Sequence, residues 1–330
     1  MRLPNIQYVE PGSTQEASAF LADHAQESKV MAGGTDLLPS MKQKIFKPEY
    51  LVNLGAIPNL DTIEFDEQSG LRIGALATLS AIEREPVILE KYPAVAQAAH
   101  AVGAMQLKWM GTVGGNLCLD TRCYYYNQSD FWRRCRPTCI KMGGDTCNAI
   151  GGGNKCFAVF SGDLAPALIA MDANISLLSA KGERTLALND LYSGDGAQPV
   201  SISPEEILTC IEVPKPPEGT FSTYLKYRIR QSIDFPLAGV AVRLVIDGND
   251  KVCHDAKVVI GAVGPRPVEV NGIKELLVGK KLESPAIEQA ALLAQKEAKP
   301  VDNAAGSPSY RKLMIKIFVE KALGQATASV

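Results

Sequence analysis

The chain has few of the side chains that most often carry out catalysis. Only three histidines occur in 330 residues, His24, His100 and His254. They show no ligand spacing, and no Ser-His-Asp or Cys-His arrangement is recognisable, so the sequence contains no hydrolytic triad and no molybdenum site. Net charge is also small, −2 with a pI of about 6.0. Nothing therefore indicates a nucleic-acid partner or a polybasic membrane surface.

Long apolar runs are absent as well. No window approaches the roughly 18 apolar residues that a membrane-spanning helix needs. The amino terminus, MRLPNIQYVEPGST, lacks a basic stretch followed by an apolar run. The sequence therefore predicts a cytoplasmic protein without a membrane anchor, long enough for two or three domains with their own cores.

Cysteine, by contrast, is concentrated. Six of the eight cysteines lie between Cys118 and Cys156, and only Cys210 and Cys253 lie elsewhere. Thiolates are the preferred ligands of soft metals and iron–sulfur clusters, and four complete a [4Fe–4S] or zinc centre. Disulfides are the alternative, but a chain of this size without an export signal does not need them. Paired C-x-x-C knuckles are missing, which favours iron–sulfur over zinc.

Two glycine-dense segments indicate backbone that can approach a phosphate closely. The first follows a short predicted strand and reads Val30-Met31-Ala32-Gly33-Gly34-Thr35-Asp36-Leu37; the second is Gly111-Thr112-Val113-Gly114-Gly115-Asn116. Each alone is compatible with an ordinary turn, whereas the pair can hold the two phosphates of a dinucleotide. A third polar segment, Ser161–Pro166, leads into an apolar helix, where Asp163 is either a helix cap or a ligand contact.

Periodicity and turn residues predict an α+β chain. Ser13 and Glu16 form a capping-box pattern before a helix over 14–23. Hairpins are predicted at 62–75 and 174–188, a strand at 207–213, and helices over 79–90 and 93–105. Pro214–Gly219 is predicted to be a linker. Long strands at 221–229, 237–246 and 251–263 follow it, and then helices over 284–298 and 310–323.

The chain contains five characteristic segments, in the order AGGTDLLPSMK, RIGALATLS, GTVGGNL, SGDLAPAL and EILTCIEVP. In this order they resemble the FAD subunits of the molybdenum hydroxylases, the xanthine dehydrogenase and carbon monoxide dehydrogenase relatives. The resemblance implies a two-subdomain FAD-binding domain of the vanillyl-alcohol-oxidase (PCMH) type. A carboxy-terminal α+β domain like that of the CO dehydrogenase flavoproteins would follow. The implied limits are 1–55, 56–216 with an insertion at about 119–158, and 217–330.

The same resemblance implies the residues that contact FAD. Those on the two glycine segments are Val30, Met31, Ala32, Gly33, Gly34, Thr35, Asp36, Leu37, Gly111, Thr112, Val113, Gly114, Gly115 and Asn116. The others are Val102, Tyr125, Asp163, Leu208 and Lys226, of which Leu208 and Lys226 are expected beside the flavin ring.

The cysteine-rich insertion, with its run TRCYYYNQSDFW, is most similar to the flavin subunit of 4-hydroxybenzoyl-CoA reductases, and aldehyde oxidoreductases are the alternative. This similarity implies a [4Fe–4S] cluster on Cys123, Cys139, Cys147 and Cys156. Cys135 can replace Cys139 on spacing alone, and Cys118 is expected to be a packed free thiol. The insertion also has more cations than acids, either for docking an acidic ferredoxin or for balancing the cluster's charge.

The resemblance finally implies a function. The chain would be an electron-transfer subunit of a heteromeric molybdenum enzyme, a dimer of heterotrimers with a large molybdopterin subunit and a small subunit holding two [2Fe–2S] clusters. Electrons would flow from ferredoxin through the [4Fe–4S] cluster and FAD to [2Fe–2S] and molybdenum, for reductive removal of an aromatic hydroxyl. Alternatives are an oxidative enzyme with outward electron flow, and a flavin- or zinc-binding protein without partners.

Overall fold

The computed structural model describes residues 2–248 and 251–329, which form three β-sheets in succession along the chain. The first sheet is parallel, with strands β1 (Gln7–Val9), β2 (Ser28–Met31) and β3 (Tyr50–Asn53) in the order β1-β3-β2. Its helices are α1 (Thr14–Asp23) and α2 (Leu37–Lys42). No helix in the part of the chain described is both long and apolar enough to cross a bilayer.

Helix α1 confirms the predicted capping box. The hydroxyl of Ser13 accepts a hydrogen bond from the amide of Glu16 at 3.1 Å, and the Glu16 carboxylate accepts one from the amide of Gly12 at 2.8 Å. The first bond satisfies an amide in the first turn of the helix that would otherwise lack a partner. The second ties Gly12, the residue before the cap, to that turn. The apolar side of α1, Ala17 and Leu21, packs in one core with Val52 of β3.

The second sheet is antiparallel, in the order β4-β5-β8-β6-β7. Its strands are β4 (Ile63–Asp66), β5 (Gly70–Gly74), β6 (Asn174–Ser179), β7 (Gly182–Ala187) and β8 (Ile207–Val213). Between β5 and β6 lie α3 (Leu79–Ile82), α4 (Pro86–Lys91), α5 (Pro93–Ala101), α6 (Met105–Met110), α7 (Val113–Leu117), α8 (Asp130–Arg134) and α9 (Leu164–Ala170). The single helix predicted over 79–90 is wrong, because Pro86 has no amide hydrogen to continue α3 and instead begins α4. The helix predicted over 93–105 ends at Ala101, and α6 begins only at Met105.

The third sheet is antiparallel and follows the proline-rich linker. It contains β9 (Thr220–Tyr227), β10 (Ala238–Ile246), β11 (Cys253–Gly261) and β12 (Val268–Glu269), followed by α10 (Ile273–Leu277), α11 (Ser284–Glu297) and α12 (Pro308–Ser329). Alternate residues of β10 enter different cores: Ala241 packs with the core of the second sheet, and Val240 and Val242 with α11 and α12. The domain limits at 55/56 and 216/217 stay a prediction.

The insertion between α7 and α9 consists mainly of turns. Backbone pairing of Arg122 with Val159 closes its base, with N–O distances of 2.8 and 2.7 Å. The amide of Tyr124 donates to the carbonyl of Asn303, at 2.9 Å, far along the chain. The insertion is therefore fixed to the carboxy-terminal part of the chain as well as closed at its own base.

Candidate functional site

The two glycine segments line one cleft of about 650 Å³, within the range of small-molecule and cofactor sites. The sequence-predicted cofactor residues that line it are Val30, Met31, Ala32, Gly33, Gly34, Thr35, Asp36, Leu37, Val102, Gly111, Thr112, Gly114, Gly115, Asn116, Asp163 and Leu208. Three of the predicted residues do not line the cleft. Val113 is buried in the core of the second sheet, Tyr125 lies on a second cavity, and Lys226 lies behind Asp163.

The glycine loops touch each other at Gly33. A Cβ atom at this position would lie 1.6 Å from the carbonyl oxygen of Met110, so only glycine allows the loops to meet. In the described chain, no protein acceptor receives a hydrogen bond from the amides of Gly33 through Asp36. Successive free amides at the wall of a cleft are an anion-binding arrangement. The first loop can therefore hold a phosphate.

The second loop presents its backbone to the same cleft. Thr112 is the N-cap of α7, and its hydroxyl accepts a hydrogen bond from the amide of Gly115 at 3.1 Å. A Cβ atom on Gly115 would meet only that hydroxyl, at 3.1 Å, and otherwise open space. The absent side chain leaves room for a ligand against the backbone of the loop.

Each carboxylate on the cleft wall is paired with a cation. The shortest N–O distances are 2.9 Å for Asp36–Arg122, 2.6 Å for Asp120–Lys141, 2.9 Å for Asp163–Lys226, 2.5 Å for Glu206–Arg184 and 2.8 Å for Asp234–Arg230. Because each acid has its own counter-charge, the wall does not carry the negative charge that its acids alone would suggest. This pairing is compatible with an anionic ligand such as a pyrophosphate.

Asp163 occupies the N-cap position of α9, but its side chain makes no capping hydrogen bond, so its role is not that of a helix cap alone. Its carboxylate accepts hydrogen bonds from the Tyr224 hydroxyl at 2.8 Å and the Lys226 ammonium at 2.9 Å, both on β9. The first amide of α9 instead donates to the side chain of Asn116, at 3.0 Å. Burial raises the pKa of Asp163, against the opposing charge of Lys226. Asp163 thus ties the third sheet to the cleft wall.

Several residues on the cleft were not predicted from the sequence. Ile233, Asp234 and Phe235 reach it from the loop after β9, and Ser203, Pro204 and Glu206 from the segment before β8. Their local sequence contains no nucleotide-binding signal, since only the packing of distant segments places them there. Ser28 also lines the cleft, and its buried hydroxyl has no hydrogen-bond partner among the residues that the structure describes.

A second, small cavity lies in the insertion. Its wall contains the four predicted ligands Cys123, Cys139, Cys147 and Cys156, together with Tyr125, Tyr126 and Lys141. Burial raises the pKa of the Cys123 thiol to about 11. All eight cysteines lie in the described residues and are free thiols, so the disulfide alternative is wrong. Across residues 2–248 and 251–329, no three His, Cys, Asp or Glu side chains form a group that could hold a metal ion.

The remaining two cysteines of the segment lie away from this cavity. Cys118 lines the cleft, and burial raises the pKa of its thiol to about 12, which keeps it neutral. Cys135 is exposed at the end of α8, and its thiol donates to the carbonyl of Phe131 at 3.4 Å. The structure therefore brings Cys139, and not Cys135, to the other three.

The insertion exposes fewer cations at its surface than its sequence suggests. Arg133 is only 6% exposed and donates to the carbonyls of Gln43 and Lys44, at 3.3 and 3.0 Å. Lys141 is buried beside Asp120. Arg122 is occupied by Asp36. The cations left on the surface of the insertion are Arg134, Arg136 and Lys155.

The cleft and the cysteine cavity are joined by a short stretch of chain. Cys118, Leu119 and Asp120 line the cleft, and Cys123 lines the cysteine cavity. Thr121, between them, is fully buried. Two potential cofactor sites thus lie within five residues of each other along the backbone.

Two glycine loops close a cleft between a small parallel sheet and an antiparallel sheet, with an α+β domain packed behind. This arrangement is typical of a nucleotide-binding protein. Residues 4–216 match the FAD binding domain in molybdopterin dehydrogenase, and residues 223–326 match the CO dehydrogenase flavoprotein C-terminal domain. The chain belongs to this family, as an FAD-binding subunit of the molybdenum hydroxylase type, and the predicted fold class is confirmed.

Known proteins similar over most of the chain agree with this assignment. The carbon monoxide dehydrogenase medium chain of Afipia carboxidovorans is 28% identical over 324 residues, covering 98% of this chain and 97% of its own. The aldehyde oxidoreductase FAD-binding subunit PaoB of Escherichia coli is 29% identical, covering 77% and 80%. The structure of reconstituted CO dehydrogenase from Oligotropha carboxidovorans superposes with a TM-score of 0.82 at 26% identity, covering all of both chains.

Proposed function

We propose that this chain carries FAD in the cleft and a [4Fe–4S] cluster in the cysteine cavity, as the electron-transfer subunit of a heteromeric molybdenum enzyme. One observation supports the pairing of the two cofactors most strongly: four cysteines from separate parts of the insertion line one cavity, next to the flavin cleft. A flavin can exchange one or two electrons, which suits a position between one-electron iron–sulfur centres.

The residues present fit FAD. The free amides of the first loop and the exposed backbone at Gly115 would hold the pyrophosphate. Asn116 caps α9 and so fixes the second loop to the segment that bears Asp163. The fully buried Asp163, held by Tyr224 and Lys226, would orient the ligand end that reaches Leu208. The ion pairs along the wall would leave the site neutral enough for two phosphates.

The donor set also fits an iron–sulfur cluster. Four thiols are the usual protein ligands of a [4Fe–4S] centre. The buried Lys141 on the cavity wall can stabilise its negative charge, as can the Ala158 amide, which donates to the Cys156 sulfur at 3.4 Å. The proposed ligands are Cys123, Cys139, Cys147 and Cys156. A zinc ion, the alternative, would require four sulfurs about 2.3 Å from one point.

The proposed assembly contains a large molybdopterin subunit and a small subunit with two [2Fe–2S] clusters, arranged as a dimer of heterotrimers. The similar carbon monoxide dehydrogenase chains are named medium chains, which supports an assembly of several subunits. Met105 and Trp109 project from α6 with 57% and 55% exposure, although Leu107 of the same helix lines the cleft. Large apolar side chains exposed beside a cofactor site are typical of a surface that a partner covers.

For the substrate, we propose reductive removal of an aromatic hydroxyl, as in 4-hydroxybenzoyl-CoA reductases, with electrons supplied by a ferredoxin. The sequence of the insertion supports this choice. An aldehyde oxidoreductase with outward electron flow is the second candidate, supported by the similarity to PaoB. Two measurements on the assembled enzyme distinguish the candidates. The second candidate is favoured if an aldehyde reduces the flavin and an aryl-CoA thioester does not reoxidise the reduced enzyme.

Cysteine replacement tests the cluster and its ligands. We expect the full-length chain, purified without oxygen, to contain close to one FAD and four irons. Cys139→Ser or Cys147→Ser should remove the electron paramagnetic resonance (EPR) signal of the reduced cluster and leave most of the FAD, because the two centres use different loops. Cys118→Ser and Cys135→Ser are the matched controls and should keep both. Equimolar zinc with negligible iron and sulfide would contradict the proposal, and loss of iron only in a control would reassign the ligands.

A further inference from the structure

The ion pair between Asp120 and Lys141 connects the two proposed cofactor sites. Asp120 lines the cleft and Lys141 lines the cysteine cavity. The ammonium nitrogen of Lys141 lies 2.6 Å from a carboxylate oxygen of Asp120. The Lys141 side chain is only 4% exposed, so water screens this pair weakly.

The ammonium group is held in one orientation. Besides Asp120, it donates to the hydroxyl of Thr121 and to the carbonyl of Gly196, at 2.7 Å for the latter. The carbonyl of Thr121 is a fourth, longer acceptor at 3.4 Å. An ammonium has three donors and no acceptor, so these partners use its full capacity. The ring of Tyr126 lies 4.9 Å from the nitrogen and adds a favourable cation–π contact. Lys141 therefore cannot turn towards solvent without losing several contacts.

The pair is consequently a fixed dipole, with its positive end at the cysteine cavity and its negative end at the flavin cleft. Adding an electron makes a redox centre more negative. A nearby cation stabilises that reduced form and raises the reduction potential, and a nearby carboxylate does the reverse. Other charges also act on the two sites. Asp36 and Arg122 form a separate pair on the cleft side. On the cavity side, Asp195 acts on Cys156 and Arg133 acts on Tyr126.

On the basis of the proposed function, we infer that the Asp120–Lys141 pair sets the difference between the two reduction potentials. It holds the potential of the cluster higher, and that of the flavin lower, than either would be without the pair. The pair thereby favours an electron on the cluster over an electron on the flavin, and so reduces the driving force for the proposed transfer from the cluster to the flavin. Lys141 and Asp120 act as positioning residues, because they act through their fixed charges.

Redox titration of the full-length chain, with EPR for the cluster and visible absorbance for the flavin, tests the inference. Lys141→Gln should lower the cluster potential enough to change the ratio of reduced to oxidised cluster at least tenfold, which for one electron is about 59 mV. Asp120→Asn should raise the flavin potential, and Lys141→Gln should affect the flavin less than the cluster. Lys155→Gln is the matched control, because Lys155 also adjoins a cysteine but is exposed.

An unchanged cluster potential in Lys141→Gln with full iron, or an equal shift in Lys155→Gln, would overturn the inference while leaving the cofactor assignment intact. If Lys141→Gln loses iron, the test rests on Asp120→Asn. An unchanged flavin potential in Asp120→Asn would then overturn the inference. Absence of iron and of the EPR signal from the wild-type chain would instead overturn the proposed function, and this inference with it.

Discussion

The guanidinium of Arg122 donates to the carboxylate of Asp36 across 2.9 Å, and so joins the cysteine insertion to the first glycine loop. The same guanidinium lies 4.2 Å from the centre of the Phe235 ring, in the loop that follows β9. Three segments far apart in sequence therefore meet at Arg122, directly before Cys123. Burial raises the pKa of Asp36, and the adjacent Arg122 counters this effect and helps to keep the carboxylate charged.

Arg122→Met should weaken flavin binding, because it leaves the partly buried Asp36 carboxylate without its counter-charge beside the expected phosphate. We expect the Kd of the apoprotein for FAD, measured by quenching of flavin fluorescence, to rise at least tenfold, which corresponds to about 1.4 kcal/mol. Arg72→Met is the matched control, since Arg72 forms an exposed pair with Glu64 at 3.9 Å. An unchanged Kd in Arg122→Met would show that the Asp36 pair has no part in the site.

Gly115→Ala should reduce FAD affinity without loosening the fold. The new methyl group would meet only the Thr112 hydroxyl within the protein, but it would occupy the space that the ligand's phosphates need. We expect at least a tenfold higher Kd for FAD and little change in the Tm of the apoprotein. Gly324→Ala in α12 should leave the Kd unchanged, because no described atom lies within 4 Å of the new methyl group. Equal affinities for FAD in Gly115→Ala and Gly324→Ala would show that the phosphates do not bind beside α7.

The exposed cations of the insertion give a prediction about the electron carrier. If an acidic ferredoxin docks there, Arg134→Glu combined with Arg136→Glu should slow second-order reduction of the holoenzyme and flatten its salt dependence. Steering by charge raises association rates by ~10- to 10³-fold and is screened beyond a Debye length of about 8 Å at physiological salt. Arg133 is left unchanged, because its burial makes reversal a folding defect.

Stopped-flow kinetics over a range of salt concentrations measure this effect. Reversal of two exposed cations on the second sheet, Arg72 and Lys181, controls for net charge. Reduction by a small uncharged donor should be the same in all variants. A ferredoxin rate and salt slope equal to those of the wild type, at full iron content, would mean that the arginines do not form the docking surface.

Local sequence was sufficient for elements defined by neighbouring residues. The capping box at Ser13 correctly predicted α1, and the run Ile207–Val213 is strand β8 as predicted. The glycine segments were recognised because several glycines within a few residues indicate backbone that a ligand approaches closely. The helix predicted over 79–90 was wrong because its apolar spacing was weighed above Pro86, whose ring ends the pattern.

The candidate sites show where local reasoning ends. The spacing of Cys135 and Cys139 cannot distinguish them as ligands, whereas the fold exposes one and places the other on the cavity. Similarly, Lys226 was expected beside the flavin ring, but the structure places its ammonium against Asp163, off the cleft. The basic character of the insertion was evident in the sequence, but not the burial of Arg133 and Lys141.

The sequence by itself determined the family, the two glycine loops and the concentration of thiols, because each depends on the identity of residues close together in the chain. Only the tertiary structure decided which cations neutralise which acids, which cysteines share a cavity, and how near that cavity lies to the cleft. Those features arise when segments up to roughly 180 residues apart, such as Tyr124 and Asn303, pack against each other. Burial then turns ordinary charged side chains into fixed pairs, because an unpaired charge inside a protein is too unfavourable to remain.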